Sequence, residues 1–316
     1  MPLLFLNEMS CGTGCEPVRA ERAMTEFART TRAVARVDKA STTLVSAVPL
    51  KSLEIADGYP IAKWVGNPRN RDAWQLLRQM QSKSPFKVVF PDEEDPFDIE
   101  YRHEGGPAEG LGAAHLMGGL AVSLPVAPCW DAPRLLLERE HLVESDDGDL
   151  DSRISEVDVR HASVPDHVED HLPWIRERAE WLRRAGLAEV HNGARLWETR
   201  AELFPRVRFL PRVERQLNEL ETVSVPVVLR HLAELDKAVS EWDPQARPEG
   251  PLWPGSVRPE HQNRRDKFCW FEDLDGTQQV FELHVNFPPK PGRVHFRLVP
   301  DTKVVHVAHV GRKLGV

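Results

Sequence analysis

The sequence predicts an α/β fold in the broad, α+β sense: a mixed sheet with flanking helices, a helical middle and a small β-rich C-terminal module. Two hydrophobic patterns carry this prediction. Apolar residues recur every three or four positions, as on one face of a helix, in residues 16–37, 71–82, 166–185, 196–203 and 213–242, and the last of these helices is predicted to be interrupted near Pro226. Short apolar or alternating runs between turn residues, typical of strands, lie at 43–50, 87–90, 98–101, 120–124, 134–142 and 154–161 and again after residue 267.

Residues at the element ends support these boundaries. Asn70 stands where a helix N-cap is expected, and Asp166 can cap the helix that follows it. Gly186 can end that helix in a left-handed conformation. The Ala/Gly/Leu-rich segment 108–117 is predicted to be a short buried helix between two strands.

The same patterns divide the chain into four segments. Residues 1–162 are the predicted α/β sheet domain, and residues 163–242 are the helical region. Residues 243–262 contain five prolines and two glycines, so we expect a linker or a long ordered loop there. Residues 263–316 are the β-rich C-terminal module.

Composition narrows the class of protein. The chain has 316 residues, of which 41% are apolar and 28% are charged, with a formal net charge of -8. These values exclude an intrinsically disordered chain. No apolar run approaches the roughly 20 residues of a membrane helix, so no membrane partner is expected. Four cysteines are typical of a cytosolic protein rather than a disulfide framework, and we expect a cytoplasmic location.

The C-terminal module contains the most informative pattern. On the predicted strand 293–299, Arg293, His295 and Arg297 alternate with apolar residues and therefore share one face. On the next strand the same alternation places His306 and His309 on opposite faces. A half-buried sheet that exposes arginine and histidine can bind RNA phosphates and move protons near neutral pH. RNA cleavage without a metal needs little more than a base, a cation and an acid.

This region resembles the closing strands of the RelE/ParE toxin superfamily. The segment GRVHFRLVPDTKVVHVAHVGRKLGV carries the matching positions Gly292, Arg293, His295, Arg297, Asp301, His309, Arg312 and Lys313. The resemblance covers about 50 residues of the chain. It implies a toxin that cleaves mRNA on the ribosome, or, as in the ParE branch, one that poisons gyrase. The block LWETRAELFPRVRFLPRVERQL is also similar to uncharacterised bacterial proteins of restriction and phage-defence gene neighbourhoods.

Together these observations predict a bacterial defence or toxin-related ribonuclease whose partners are RNA or the ribosome. His295, His309 and Arg297 are the predicted catalytic residues. Arg293, Arg312 and Lys313 are the predicted substrate-binding residues. This mechanism requires no metal and no cofactor.

Two alternatives remain open. The chain could be a non-enzymatic subunit of a multi-protein defence complex, with its C-terminal module used only for docking. It could also be a metal-dependent nuclease that uses Asp98 and Glu100 from the acidic cluster at 92–100. His167 and His171, four residues apart on a predicted helix, form a further candidate zinc pair. Cys129 and Cys269 are isolated in the sequence and mark no metal site.

Overall fold

A computed structural model describes residues 3–37, 42–81, 99–144, 150–184, 186–187, 189–222, 224–254, 257–287 and 292–315. The chain forms two compact units, Met1–Arg183 and Arg184–Val316, which we call unit 1 and unit 2 and describe separately. Both contain helices packed on mixed sheets, so the predicted α/β class is confirmed.

Unit 1 is built on a seven-stranded sheet with the order β2-β1-β7-β9-β8-β5-β6. Strands β2, β1, β7 and β9 are parallel, and the remaining pairs are antiparallel. The strands of unit 1 are β1 (Leu3–Leu6), β2 (Thr43–Val45), β3 (Glu54–Ala56), β4 (Tyr59–Pro60), β5 (Ile99–His103), β6 (Gly106–Pro107), β7 (Leu120–Val122), β8 (Arg134–Glu144) and β9 (Leu150–Ala162), of which β3 and β4 form a separate pair.

The helices of unit 1 follow the predicted apolar stripes. They are α1 (Pro17–Val37), α2 (Ile61–Val65), α3 (Arg71–Met80), α4 (Glu109–Met117) and α5 (Pro165–Arg184). On α1, the predicted stripe that includes Met24, Phe27 and Val34 is buried. Asn70 occupies the N-cap position of α3 as predicted, but its side chain donates to the Trp64 carbonyl (2.8 Å) instead of capping the helix. The predicted strand at 87–90 lies outside the described residues.

The parallel half of this sheet places polar residues at one edge. Asn7 directly follows β1, and Ser123 directly follows β7. His161 is the last residue but one of β9, which lies beside β7. Because the carboxyl ends of neighbouring parallel strands meet at the same edge, these three side chains come together there.

Unit 2 is built on a five-stranded sheet with the order β10-β16-β15-β14-β11. Only the β10–β16 pair is parallel. The elements of unit 2 are α6 (Gly193–Leu203), β10 (Val207–Phe209), α7 (Arg212–Asn218), α8 (Val225–Ser240), β11 (Arg258–Pro259), α9 (Gln262–Phe268), β12 (Trp270–Glu272), β13 (Gln278–Val280), β14 (Leu283–Phe287), β15 (Gly292–Val299) and β16 (Val304–Arg312).

The structure divides the chain at a different position from the sequence patterns. The predicted helical region 163–242 is split, because α5 belongs to unit 1 and α6–α8 pack with the C-terminal strands in unit 2. The predicted interruption of the 213–242 helix near Pro226 is confirmed, because this stretch forms two helices and Pro226 stands in the first turn of the second one.

The described residues of the proline-rich segment, 243–254 and 257–262, belong to unit 2 rather than to a linker between domains, and they include strand β11. The Trp242 indole donates to the Arg247 carbonyl (2.7 Å). The Trp253 ring packs edge-on against Phe296 of β15, with ring centroids 5.3 Å apart. The Trp253 contact ties this segment to the sheet, which composition alone could not show.

Candidate functional site

The predicted basic face of β15 is not exposed. Arg293 and His295 are 9% and 1% exposed, because residues 260–281 lie over this face of the sheet. Glu260 forms an ion pair with Arg293, and Asp273 forms one with Arg297. The expectation of an outward-facing arginine and histidine surface on this strand was therefore wrong: each arginine faces a carboxylate from the covering segment.

A β-bulge changes the predicted histidine pattern. Along β15 and β16, His295 pairs with His309 and Arg297 pairs with His306, and the register shifts between the two pairs. The bulge adds one residue on β16, so His306 and His309 lie on the same face rather than on opposite ones. His284 of β14 pairs with His295 from the other side. Three imidazoles therefore form a row across the sheet, with ring centroids 5.3 Å and 5.9 Å apart.

Neither predicted catalytic histidine is a free imidazole at the surface. His309 Nε2 donates to the Arg312 carbonyl (2.7 Å), and its Nδ1 accepts from the Gln216 amide (2.9 Å). Burial lowers the pKa of His309 to about 4. Burial, followed by the charges of His284, His309 and Arg293, lowers the pKa of His295 to about 2. Both rings are neutral at pH 7, and neither faces an open RNA-binding surface.

The other two predicted substrate-binding residues, Arg312 and Lys313, differ in their exposure. Arg312 is exposed at the end of β16, but Lys313 is only 4% exposed. Asp301, which the resemblance matched to the acid of the turn, is exposed in the turn before β16. The predicted positions are thus near one another in sequence, but the structure does not bring them together as one exposed cluster.

Asp273 is the centre of a compact polar network. Its carboxylate accepts from Arg297 Nε (2.6 Å), from His306 Nδ1 (2.6 Å) and from the Leu274 backbone N–H (2.8 Å). Burial raises the pKa of Asp273, but these three hydrogen bonds together outweigh it and hold the pKa below its ordinary value. Sequence reasoning missed Asp273, since its partners are 24 and 33 residues away.

A cavity of about 560 Å³ opens beside this network. Its walls are mostly apolar, and the Arg212 guanidinium lies over the Phe271 ring, 4.9 Å from the ring centroid. The lining residues are Leu210, Pro211, Arg212, Phe271, Glu272, Asp273, Leu274 and Gly276. Trp270 and Leu274, in the hairpin that β12 and β13 form, are 51% and 48% exposed. The cavity is therefore mainly apolar, and its charged lining residues are the Arg212 cation, the exposed Glu272 and Asp273, which is paired with Arg297 and His306.

Four exposed basic residues lie on β10, directly before it, and on α7. Arg206, Arg208, Arg212 and Arg215 are all exposed, and we call them the arginine strip. Arg208 pairs with His306 in the parallel β10–β16 ladder, and Arg212 lines the cavity. The sequence signal was visible as a dense run of arginines in residues 206–215 with one acid, Glu214.

A second cluster is formed by two residues of the segment 260–281 and one residue of β15. Glu260, Cys269 and His295 each offer one possible metal-ligand atom, and these atoms lie within 4.8 Å of one another. Burial and the negative charge of Glu260 raise the pKa of the Cys269 thiol to about 11. Cys269 is isolated in sequence, so only the fold brings it to His295.

Unit 1 holds a buried polar chain that the sequence did not indicate. Asn7 Nδ2 donates to Ser123 Oγ (3.0 Å), and Ser123 Oγ donates to His161 Nε2 (2.6 Å). His161 Nδ1 donates to the Ala132 carbonyl (2.6 Å), which fixes this tautomer. Burial lowers the pKa of His161 to about 4. The three side chains are 0% exposed.

The remaining metal candidates have other partners. His171 Nε2 lies 2.8 Å from the Pro133 carbonyl and 3.0 Å from the His161 carbonyl, so it carries a proton and donates. His167 Nδ1 accepts from the Ser163 N–H (3.3 Å). Glu100 is exposed and forms an ion pair with Arg102 (2.8 Å). Asp98 and the acidic residues at 92–95 lie outside the described residues.

Comparison of the chain with protein-family models, with characterised proteins and with solved structures gives no match. The resemblance to the RelE/ParE superfamily therefore stays a prediction. Among the helices that the structure describes, none is both long and apolar enough to cross a membrane.

Proposed function

We propose that unit 2 binds single-stranded RNA, with phosphates on the arginine strip and a base in the adjoining cavity. The observation that carries this proposal is the position of Arg212. It belongs to the arginine strip, and it also lines the cavity, where its guanidinium lies over the Phe271 ring. This proposal keeps the predicted RNA partner but moves its binding surface from β15 to β10 and α7.

The charge distribution supports a phosphate ligand at this surface. Residues 184–316 carry 20 Lys and Arg against 18 Asp and Glu, whereas residues 1–183 carry 21 against 31. The negative charge of the chain therefore resides in unit 1. The Arg208 guanidinium donates to the Pro205 carbonyl (2.9 Å) and remains exposed. An arginine oriented in this way can bind phosphate oxygens through its remaining donors.

The cavity supports a base as the second contact. Its volume of about 560 Å³ falls within the range of about 300–1,000 Å³ typical of small-ligand sites. Single-stranded nucleic acids bind where aromatic and apolar walls receive a base while cations follow the backbone. Phe271 and Leu274 supply such walls, and Trp270 adds an exposed ring on the same hairpin.

This proposal is for binding and does not include cleavage by His295 or His309. Both nitrogens of His309 are hydrogen-bonded within the protein, and His295 is 1% exposed. An imidazole without access to a 2′-hydroxyl cannot remove its proton. The non-enzymatic subunit predicted as an alternative agrees with this geometry, since a binding subunit needs no catalytic group.

The test is fluorescence anisotropy of the full chain with labelled oligouridylate at several salt concentrations. We expect Arg208→Gln with Arg212→Gln to weaken binding and to reduce the log–log salt slope by about 0.7 for each lost phosphate contact. Leu274→Asp should weaken binding as well, because it places a negative charge at the cavity. Arg19→Gln and Leu136→Asp, exposed positions of unit 1, are the matched controls.

Two results would contradict the proposal. One is binding of oligouridylate that does not depend on salt. The other is unchanged affinity in the double arginine variant when circular dichroism shows that it is folded. Oligodeoxythymidylate is measured in parallel, and equal affinity for it would show that the site takes single strands without reading the 2′-hydroxyl. Intact RNA after long incubation is also expected.

A further inference from the structure

The fold brings three potential metal ligands from separate segments to one buried point. Glu260 is fixed by its backbone N–H, which donates to the Glu282 carbonyl (2.8 Å). Cys269 directly follows α9, and its carbonyl accepts from the Phe281 N–H (2.8 Å). His295 lies in the middle of β15. All three residues are less than a tenth exposed, and Cys269 Sγ lies 3.8 Å from His295 Nδ1.

The hydrogen bonds of His295 leave one ring nitrogen facing the cluster. Its Nδ1 lies 3.2 Å from the Phe281 carbonyl, and a carbonyl can only accept, so Nδ1 carries the proton. Nε2 then presents a lone pair. It has no hydrogen-bond partner among the described residues and lies 4.0 Å from Glu260 Oε2. Two acceptors that face each other in a buried site are unfavourable unless a proton or cation lies between them.

We infer that Glu260, Cys269 and His295 bind one zinc ion. Thiolate, imidazole and carboxylate are the three ligand types that zinc takes in proteins. The second ring nitrogen of a zinc-bound histidine commonly donates to a carbonyl, as Nδ1 does here to Phe281. The three ligand atoms lie within 4.8 Å of one another, compared with about 3.5 Å between neighbouring ligands at tetrahedral zinc distances. A small side-chain movement therefore suffices.

Neighbouring groups set the chemistry of this site. Glu260 also pairs with Arg293, and its Oε1 lies 3.5 Å from Arg264 Nε. A carboxylate has about four acceptor positions, so it can keep an arginine while it binds a metal. His284 lies beside His295 in the imidazole row, and its Nδ1 has no hydrogen-bond partner within the described part of the chain.

Zinc at this point would join the covering segment to the sheet. Cys269 directly precedes β12, whose Trp270 and Phe271 belong to the hairpin beside the cavity. The ion would thus fix this hairpin onto β15. The inference rests on the buried cluster alone and does not depend on RNA binding.

The test is metal binding by the full chain after chelator treatment and reloading with zinc. We expect one bound zinc per chain by mass spectrometry of the metal. Cobalt loading should give a thiolate-to-cobalt charge-transfer band. Cys269→Ser should lower zinc affinity by more than about 100-fold, because changes to outer-shell residues already cost about 10- to 100-fold. Cys129→Ser, in unit 1, is the matched control and should bind like the wild type.

The wild-type protein alone can overturn the inference. Failure of the folded, chelator-treated chain to take up zinc would do so, and so would cobalt binding without a thiolate band. Retention of zinc by Cys269→Ser would place the metal elsewhere. His295→Gln provides a second variant in case Cys269→Ser does not fold. Loss of RNA binding with normal zinc uptake would contradict the proposed function and leave this inference standing.

Discussion

His161 in unit 1 and His295 in unit 2 are both almost completely buried and neutral, yet their environments differ. Both nitrogens of His161 are hydrogen-bonded, one to Ser123 Oγ and one to the Ala132 carbonyl. Only one nitrogen of His295 has a hydrogen-bond partner in the described residues. A satisfied imidazole stabilises the packing around it, whereas an unsatisfied one needs a ligand to offset its burial.

The hydrogen bonds of the neighbouring backbone amides decide how the Ser123–His161 pair should be interpreted. A serine that donates to an oriented histidine is the arrangement of a nucleophile and its base. Here, however, the Ser123 N–H donates to the Ala162 carbonyl (3.0 Å), and the Leu124 N–H donates to Ser10 Oγ (3.0 Å). These two amides cannot form an oxyanion hole. We therefore interpret the pair as a structural link between β7 and β9.

The largest expected effect comes from replacing each histidine with leucine. His161→Leu leaves the Ser123 O–H without its acceptor and removes the hydrogen bond to the Ala132 carbonyl, although Asn7 still donates to Ser123 Oγ. We therefore expect a loss of about 3 kcal/mol in the free energy of unfolding. His295→Leu removes one nitrogen that has no partner within the described residues and only one hydrogen bond to the backbone, from Nδ1 to the Phe281 carbonyl. In the metal-free protein its cost should therefore be lower, about 1.5 kcal/mol.

Urea denaturation of the chelated protein, with hydrogen exchange of peptides from β9 and β15, measures both effects. The exchange data assign each loss to its own unit. Equal losses in the two variants would contradict the distinction between a satisfied and an unsatisfied buried histidine. Wild-type protein loaded with zinc should lose far more stability on His295→Leu than chelated protein does.

The next effect concerns the satisfied network within unit 2. Asp273→Asn removes the negative charge that Arg297 and His306 face, and we expect a loss of about 2 kcal/mol. This is less than the roughly 3–5 kcal/mol for breaking a fully buried pair, because the Arg297 side chain is 21% exposed. Asp301→Asn, at an exposed position, should be neutral.

The acid limb of the stability curve provides a second measurement of Asp273. Its pKa in the folded protein is below the ordinary value of 3.8. The stabilisation is therefore complete above pH 3.8 and is lost as the pH falls through the lower, folded pKa. In Asp273→Asn this contribution to the acid dependence should disappear, which urea denaturation between pH 5 and pH 2.5 would show. An unchanged acid limb would mean that other carboxylates dominate it.

The sequence predicted local features well and the site poorly, for a physical reason. The stripe of α1 and the strands β8 and β9 follow from periodicity, which acts over a few residues. Strand alternation also placed Arg293 and His295 correctly on one face. Alternation does not say what covers that face, and the carboxylates of Glu260 and Asp273 come from 33 and 24 residues away. The bulge on β16 could not be predicted from the sequence either, because it depends on how β15 and β16 pair.

The smallest expected effect is the pH dependence that His161 gives unit 1. Burial lowers its pKa from 6.5 to about 4, so between these values the unfolded chain takes up a proton that the folded chain does not. Stability from this residue is therefore complete above pH 6.5 and falls toward pH 4, with a slope of up to about 1.4 kcal/mol per pH unit. Hydrogen exchange of β9 peptides at pH 7 and pH 5.5, corrected for intrinsic rates, measures it.

His161→Leu should remove this slope, and His191→Gln, at an exposed position, should keep it. A slope that survives in His161→Leu would show that another group in unit 1 takes up the proton, and the contrast between the two buried histidines would then rest on their hydrogen bonds alone.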